Sequence, residues 1–166
     1  MPLNEKDGLI NDHHCNQGRC LQIHAVNAAT SVFSQEEVKC VDELWDEYQA
    51  EGPEESGYYF IVEKEGGQVM GYACYGPRAL TDRTYDLYWI AVGPNARRGG
   101  VGRGLLAATE EAIRKLGGRL LIVETSGLPK YEPTRTFYLA TGYMLEATLK
   151  DFYSDGDDLV IFTKHL

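Results

Sequence analysis

The clearest pattern of apolar and polar positions lies in the middle of the chain, over residues 86–126. Residues 87–92 form an apolar run rich in aromatic and β-branched side chains, which predicts a buried strand. After a glycine-rich loop, apolar side chains recur at helical spacing over residues 101–116, and a Gly-Gly pair ends this predicted helix. Residues 120–123 predict a second buried strand. Because a strand–helix–strand unit of this length normally pairs its strands in parallel, we expect one parallel pair here.

The rest of the pattern predicts further helices and antiparallel hairpins. Residues 34–37 form a capping box, and the strong helix that they start ends at Gly52-Pro53. Residues 1–12 look like a loose lead-in, and no clear strand precedes that helix. The remaining predicted elements are a weak helix over 19–29, strands over 58–63 and 68–75, a loop over 78–85, a short helix over 133–141, and strands over 143–153 and 159–165. Strands arranged around the central unit imply a mixed sheet with helices on its faces, that is, an α/β (α+β) fold.

The loop before the central helix combines arginines with glycines. Its members are Arg97, Arg98, Gly99, Gly100, Gly102 and Gly104. A helix N-terminus offers unpaired N–H groups and the positive end of the helix dipole, and glycines let an anion approach the backbone closely. Together with Arg103, these residues predict a seat for a phosphate or diphosphate group. The alternative is a tight turn with solvated arginines, which the number of glycines disfavours.

Two other nucleotide-binding motifs fit this loop less well. A Walker loop requires Lys-Ser or Lys-Thr after its last glycine, where this chain has two leucines. A dinucleotide-binding fingerprint matches locally as Gly102-x-Gly104-x-x-Ala107, with the acidic Glu124 at about the expected distance. The glycines of that fingerprint should follow the strand directly, however, and here they begin well beyond the end of the predicted strand.

Length and charge limit the classes of function that this chain could have. The chain has 166 residues, which suits one domain, and we divide it into a lead-in over residues 1–22 and a domain over residues 23–166. Asp and Glu number 25 against 16 Lys and Arg, so the net charge is −9. This acidic balance argues against nucleic-acid binding and favours cationic substrates. No apolar run reaches transmembrane length and no signal-peptide core is evident, so we expect no membrane partner and a cytoplasmic location.

Cysteine and histidine residues cluster near the N-terminus. Cys15, Cys20 and His24 could be drawn together as zinc ligands, but their spacing matches no strong structural-zinc pattern and no second ligand pair follows. In a cytosolic chain of this size, the four cysteines favour reduced thiols over disulfides. We therefore predict no metal site.

Two short motifs carry a resemblance to a known family. The segment Arg97-Arg98-Gly99-Gly100-Val101-Gly102 fits the pattern (Gln/Arg)-x-x-Gly-x-(Gly/Ala) between a strand and a helix, and Phe137-Tyr138-x-x-x-Gly142-Tyr143 is similar to Phe-Tyr-x-x-x-Gly-Phe. In this context, residues 30–166 resemble the GNAT superfamily of acyl-CoA-dependent N-acetyltransferases. The resemblance implies a central mixed, mostly antiparallel sheet with one parallel β-α-β unit and flanking helices. It also implies acetyl-CoA as the cofactor and direct transfer of its acetyl group to a primary amine.

Three residues are candidates for catalytic roles, two of them through the resemblance and the third through its position in the chain. Tyr138 would donate a proton to the sulfur of coenzyme A as it leaves; the alternative is a buried aromatic on a short helix. Asp86 stands at the offset that carries the general base in some members of the family, although it could equally be a polar residue that begins a strand. Glu124 ends the second buried strand, where an isolated carboxylate would need a partner or a raised pKa, so it is the rival base. Relay of the proton through solvent remains a third alternative.

The resemblance also implies which residues bind the cofactor. Backbone groups of Ile90, Ala91 and Val92 would contact the pantetheine arm, and residues 97–102 would hold the diphosphate. Many members of the family carry an asparagine after the second strand that contacts coenzyme A, and none stands at that place here. Tyr131, Thr134 or Arg135 could replace it. The full predicted set is Ile90, Ala91, Val92, Arg97, Arg98, Gly99, Gly100, Val101, Gly102, Arg103, Gly104, Tyr131, Thr134 and Tyr138.

Two other function classes remain open at this stage. One is an acyl-CoA-binding regulatory module without catalytic activity, and the other is a fragment of a dinucleotide-binding oxidoreductase. Tyr138 and a nearby carboxylate favour the enzyme. Its acceptor is expected to be a small-molecule or peptide amine, whose identity the loops do not encode. The exposed edge of the closing hairpin would also allow two copies to pair as a homodimer.

Overall fold

The computed structural model describes residues 8–11, 17–30, 33–96 and 99–166. These residues form one sheet of seven strands and four α-helices. The strands are β1 (Gly8–Asn11), β2 (Tyr59–Glu65), β3 (Gln68–Pro77), β4 (Thr84–Val92), β5 (Leu120–Ser126), β6 (Met144–Ser154) and β7 (Asp157–His165). The helices are α1 (Gln17–Ala29), α2 (Gln35–Ser56), α3 (Val101–Lys115) and α4 (Glu132–Ala140).

The sheet is mixed and mostly antiparallel, as the sequence predicts. Its order is β1-β2-β3-β4-β5-β7-β6. The pair β4–β5 is parallel and is connected by α3, while the other neighbouring strands run antiparallel. The predicted β-α-β unit and the predicted mixed sheet are therefore confirmed.

Two predictions at the N-terminal end need correction. The pattern indicates no first strand, but Gly8–Asn11 pairs antiparallel with β2 at the edge of the sheet. Four residues are too few to show a period of two, and their pairing is made by backbone groups that the sequence does not specify. The Gly52-Pro53 pair bends α2 rather than ending it: Gly52 leaves helical geometry at φ 81, and the helix resumes to Ser56.

Alternating side chains on the strands build one apolar core on each face of the sheet. On β2, Ile61 faces the core that includes α3 and α4, whereas Phe60 and Val62 face the core that includes α1 and α2. The same alternation places Tyr75 of β3 on the first face and Tyr72 on the second. Among the described helices, none has the length and apolar character needed to cross a bilayer.

A buried ionic cluster holds α3 to the far half of the sheet. Lys164 Nζ on β7 donates to both carboxylate oxygens of Glu110 on α3 at 2.9 Å, and to the backbone oxygen of Thr141 at 3.0 Å. The hydroxyl of Tyr143 also donates to Glu110, at 3.1 Å. A buried carboxylate is tolerated when it is paired and hydrogen-bonded in this way. The cluster therefore fixes α3 relative to the end of α4.

The first turn of α2 is closed by a complete capping box. Ser34 Oγ accepts a hydrogen bond from the Glu37 backbone N–H at 3.2 Å, and Glu37 Oε2 accepts one from the Ser34 backbone N–H at 2.7 Å. Both donors belong to a helix start that would otherwise leave them unpaired. The helix thus begins at the position that the sequence predicts.

We expect Ser34→Ala to lower the free energy of unfolding by about 1 kcal/mol, because it removes the side-chain acceptor of this cap. Urea denaturation would measure the change. Ser34→Asp retains an acceptor at the same position and serves as the control, so it should stay near the wild-type value. Equal losses in the two variants would contradict a capping role for Ser34.

Candidate active site

The central cleft arises because β4 and β5 pair over only part of their length. Thr84–Leu87 of β4 pairs with Leu120–Val123 of β5, and beyond that point the two strands no longer pair with each other. Each strand remains bonded to its other neighbour, β3 or β7, to its end. The parting strands bound a cleft with a volume of about 1630 Å³, and backbone groups on their inner edges face it.

An irregularity in β4 lies where the strands part. The register with β3 steps from Leu87↔Tyr75 to Trp89↔Cys74, so Tyr88 is an extra residue without a partner on β3. Such a bulge bends a strand and turns its side chains. Tyr88 is consequently exposed, lines the cleft and packs edge-to-face against Tyr58 with ring centroids 5.6 Å apart.

The N-terminus of α3 lies at the cleft, and Gly100, Val101, Gly102 and Arg103 line it there. Gly100 precedes the helix with φ 82, and no side chain caps the first turn. The first backbone hydrogen bond of the helix runs from Gly104 N–H to Gly100 O at 2.9 Å. The amides of residues 101–103 therefore have no acceptor within the helix. These amides and the positive end of the helix dipole suit an anion.

Most of the predicted cofactor-binding residues come together in this cleft. Gly99 and Gly104 lie beside it without lining it, and their amides are used by bonds to Ala96 O and Gly100 O. Arg97 and Arg98 lie outside the described residues. The predicted residues that do line the cleft are Ile90, Ala91, Val92, Gly100, Val101, Gly102, Arg103, Tyr131, Thr134 and Tyr138.

Tyr138 reaches the cleft from α4. Its side chain is buried against Phe137, Tyr143 and Phe162, with ring centroids between 5.5 and 5.8 Å from its own. Its hydroxyl has no hydrogen-bond partner among the described residues. Burial raises the pKa of the Tyr138 phenol, which therefore keeps its proton near neutral pH.

The two carboxylates predicted as rival bases share one arginine. Arg78 Nη1 lies 2.7 Å from Asp86 Oδ1 and 3.4 Å from Glu124 Oε1. Burial raises the pKa of the Asp86 carboxyl, Arg78 lowers it, and the charge of Glu124 raises it again, with a net increase. Asp86 and Glu124 are thus parts of one ionic cluster at the end of the cleft opposite the α3 loop.

Acidic and phenolic side chains line the outer wall at that end. Glu37 Oε1 accepts a hydrogen bond from the hydroxyl of Tyr131 at 3.2 Å, and burial followed by the charge of Glu37 raises the pKa of Tyr131 to about 12. The pKa of Tyr153 is raised by burial and then by the charges of Glu124, Asp157 and Glu37. Three carboxylates from three different elements therefore surround these two phenols.

The chain is similar to known proteins in sequence and in structure. The model of the Acetyltransferase (GNAT) family matches residues 24–143, which is more than half of the chain. The protein belongs to the GNAT acetyltransferase family. A comparison with curated protein sequences found no match.

Solved structures carry the same fold as this acetyltransferase. A GNAT-family protein from Desulfovibrio desulfuricans is 42% identical, with a TM-score of 0.91 over 95% of this chain and 98% of that one. A ribosomal-protein-alanine N-acetyltransferase from Brucella melitensis is 26% identical, with a TM-score of 0.71 over 92% and 98% of the two chains. An aminoglycoside 6′-N-acetyltransferase solved with coenzyme A is 14% identical, with a TM-score of 0.74 over 95% and 96%. The family match excludes the dinucleotide-binding alternative.

Sequence reasoning missed Arg78, which it placed in a loop over residues 78–85. The contact depends on a hairpin register in which Gly76 pairs with Asp86 and the Arg78 amide donates to Thr84 O at 2.8 Å, whereas the predicted strand covers only residues 68–75. An arginine two residues beyond the partner of an aspartate lies within its reach. Arg135, considered as a cofactor contact, instead donates to the backbone oxygens of Ser126 and Leu128 and holds the loop after β5.

The N-terminal cysteine cluster lies largely beyond what the structure describes. Cys15 is outside the described residues, and the side chain of Cys20 is not described either. His24 Nδ1 on α1 lies 2.7 Å from Asp42 Oδ2 on α2 and is engaged in that contact. In the described part of the chain, no group of three His, Cys, Asp or Glu side chains could hold a metal ion.

We expect Gly100→Ala to lower the free energy of unfolding by about 1–2 kcal/mol, because a side chain at φ 82 is strained. Gly102→Ala is the matched control. Its added methyl group would lie 3.5 Å from Val92 Cγ2 and 3.7 Å from Phe137, which are ordinary contacts. Chemical denaturation of both variants would test this difference, and an unchanged stability of Gly100→Ala would contradict it.

Proposed function

We propose that this acetyltransferase transfers the acetyl group of acetyl-CoA directly to a primary amine of a cationic acceptor. The observation that supports this proposal is a single cleft lined by three parts: the uncapped start of α3, the protonated phenol of Tyr138, and the carboxylates Asp86 and Glu124. Direct transfer needs one anion seat, one proton donor and one proton acceptor, and no covalent nucleophile.

The inner part of the cleft fits coenzyme A. The amides of residues 101–103 at the start of α3 would hold the diphosphate, with Arg103 at the rim and the neighbouring Arg97 and Arg98 as further predicted contacts. The inner edge of β4 at residues 90–92 offers backbone groups to the pantetheine amides. Tyr131 and Thr134 would contact the cofactor from the opposite wall. An aminoglycoside acetyltransferase of the same fold was solved with coenzyme A, which supports coenzyme A as the ligand proposed here.

The proton transfers follow from the charges of the cleft. A carboxylate, Asp86 or Glu124, takes one proton from the acceptor ammonium and passes it to solvent. The neutral nitrogen then forms a bond to the acetyl carbon while the carbon–sulfur bond breaks. The sulfur receives a proton from Tyr138, and the phenolate is reprotonated by the second surplus proton of the nitrogen. The balance is one amide, one thiol and one proton released.

The acceptor end favours an amine that carries additional positive charge. Among the described residues, five acidic side chains line the cleft, but only three basic ones, Arg78, Lys130 and Arg103. Of these three, Arg103 lies at the α3 end. The net charge of −9 adds long-range attraction for cations. Phenol rings beside carboxylates also bind cations through their faces. Diamines, polyamines and basic peptides are therefore the proposed acceptor class.

We expect Tyr138→Phe to lower kcat by about 10²-fold, because the sulfur would leave without a proton donor. The affinity for acetyl-CoA should stay close to the wild-type value, since the ring remains in place. Thiol release and calorimetric titration would measure the two quantities. Tyr143→Phe removes a neighbouring buried hydroxyl that does not line the cleft and is the control. An unchanged kcat of Tyr138→Phe would remove Tyr138 from the mechanism.

We expect a panel of primary amines to rank by charge, with polyamines and basic peptides showing higher kcat/KM than neutral or acidic amines. Asp157→Asn should weaken this ranking, because it removes one carboxylate from the outer wall. Asp155→Asn changes an exposed carboxylate of the same hairpin that does not line the cleft, so the ranking should persist. The absence of thiol release with every amine would favour the regulatory acyl-CoA-binding alternative.

A further inference from the structure

We propose that Arg78 is a positioning residue that gives the two carboxylates different tasks, holding Asp86 as the proton acceptor and leaving Glu124 to bind the acceptor ammonium. This inference rests on the proposed amine acetyltransferase function. It goes beyond that function because it separates two residues that the sequence leaves as rivals. It also gives a task to an arginine that neither family motif includes.

The contacts of Arg78 are unequal. The same nitrogen, Nη1, lies 2.7 Å from Asp86 but 3.4 Å from Glu124. The first distance is that of a strong charge-assisted hydrogen bond, and the second is at the long limit of one. The side chain of Asp86 is 16% exposed, whereas that of Glu124 is 39% exposed. An incoming cation can therefore reach Glu124 while Asp86 stays fixed.

The charge of the cluster matches one ammonium. Two carboxylates and one guanidinium leave a net charge of −1, which a bound ammonium neutralises. Without Arg78 the site would carry −2, so it would hold the ammonium more tightly and give up its proton less readily. Arg78 therefore sets both how strongly the amine is held and how readily it is deprotonated.

The other titratable groups near Asp86 do not account for an acid limb in the pH profile of the reaction. Tyr88 follows on the same strand, and burial followed by the charge of Asp86 raises its pKa to about 12, so it stays neutral where carboxylates titrate. Tyr153 lies on the Glu124 side and its pKa is also raised. No histidine of the described chain lines the cleft. The acid limb of the reaction is thus expected to report Asp86 and its two charged neighbours.

The two neighbours act on Asp86 with opposite signs. Arg78 lowers the pKa of Asp86 and Glu124 raises it. Asp86 accepts a proton only in its charged form, so activity is lost as the pH falls through its pKa. Removing Arg78 should therefore move the acid limb of kcat/KM to higher pH. Removing the charge of Glu124 should move it to lower pH.

The test compares the full-length wild type with Arg78→Met, Arg78→Lys and Glu124→Gln by thiol release across pH. The acceptor in these assays is the primary amine that shows the highest kcat/KM in the panel described above. In Arg78→Met the acid limb should shift to higher pH, with a severalfold loss of kcat/KM at the acid end and a lower KM for the amine above the limb. Arg78→Lys keeps the charge and should retain the wild-type profile. The KM for acetyl-CoA should be unchanged in each variant.

Glu124→Gln separates the two carboxylates. A severalfold higher KM for the amine, with most of kcat retained and the acid limb at lower pH, would support the assignment. Abolished kcat at every pH would make Glu124 the base and overturn it. An unmoved acid limb in Arg78→Met, with wild-type thermal unfolding, would also overturn it. Failure of the wild type itself to acetylate any amine would instead refute the proposed function.

Discussion

The site depends on the loss of hydrogen bonding between two parallel strands. A continuous parallel ladder would use the backbone groups of both strands and leave no room between them. Here β4 and β5 share a ladder only as far as Leu87 and Val123. The bulge at Tyr88 bends β4 at that point, while β3 and β7 hold the outer edges of the two strands. Backbone groups that are normally internal to a sheet therefore become the wall of a binding cleft.

The elements around the cleft are fixed by contacts on their far sides. Gly71 on β3 has no side chain, and a methyl group there would lie 2.7 Å from Ala91 O and 3.0 Å from Leu105, so α3 packs close to the sheet. Lys164 and Glu110 hold the helix from the opposite side. The amides at the start of α3 thus occupy a set position before any ligand arrives, which lowers the entropic cost of binding.

Local patterns predicted the central elements, and pairing over long distances decided the rest. Periodicity located β4, α3 and β5, because this signal lies within each element. The glycine pattern predicts an anion seat at the start of α3 for the same reason, since its residues are close together in the chain. The family motif identified Tyr138, which lines the cleft as expected. By contrast, the sharing of Arg78 by Asp86 and Glu124 joins residues from three separate segments. The strand Gly8–Asn11 was missed because its partner lies some fifty residues further along the chain.

Glu37 links the shape of the cleft to the integrity of a helix. One of its carboxylate oxygens completes the capping box of α2, and the other accepts a hydrogen bond from the hydroxyl of Tyr131 at the outer wall of the cleft. A mutation that changed this side chain to admit a different amine would also fray the helix start. On the opposite wall, Asp157 accepts a hydrogen bond from Ser126 Oγ, but neither Asp157 nor Tyr153 takes part in a helix cap of the described chain. New acceptor preferences should therefore evolve more readily through that hairpin than through Glu37.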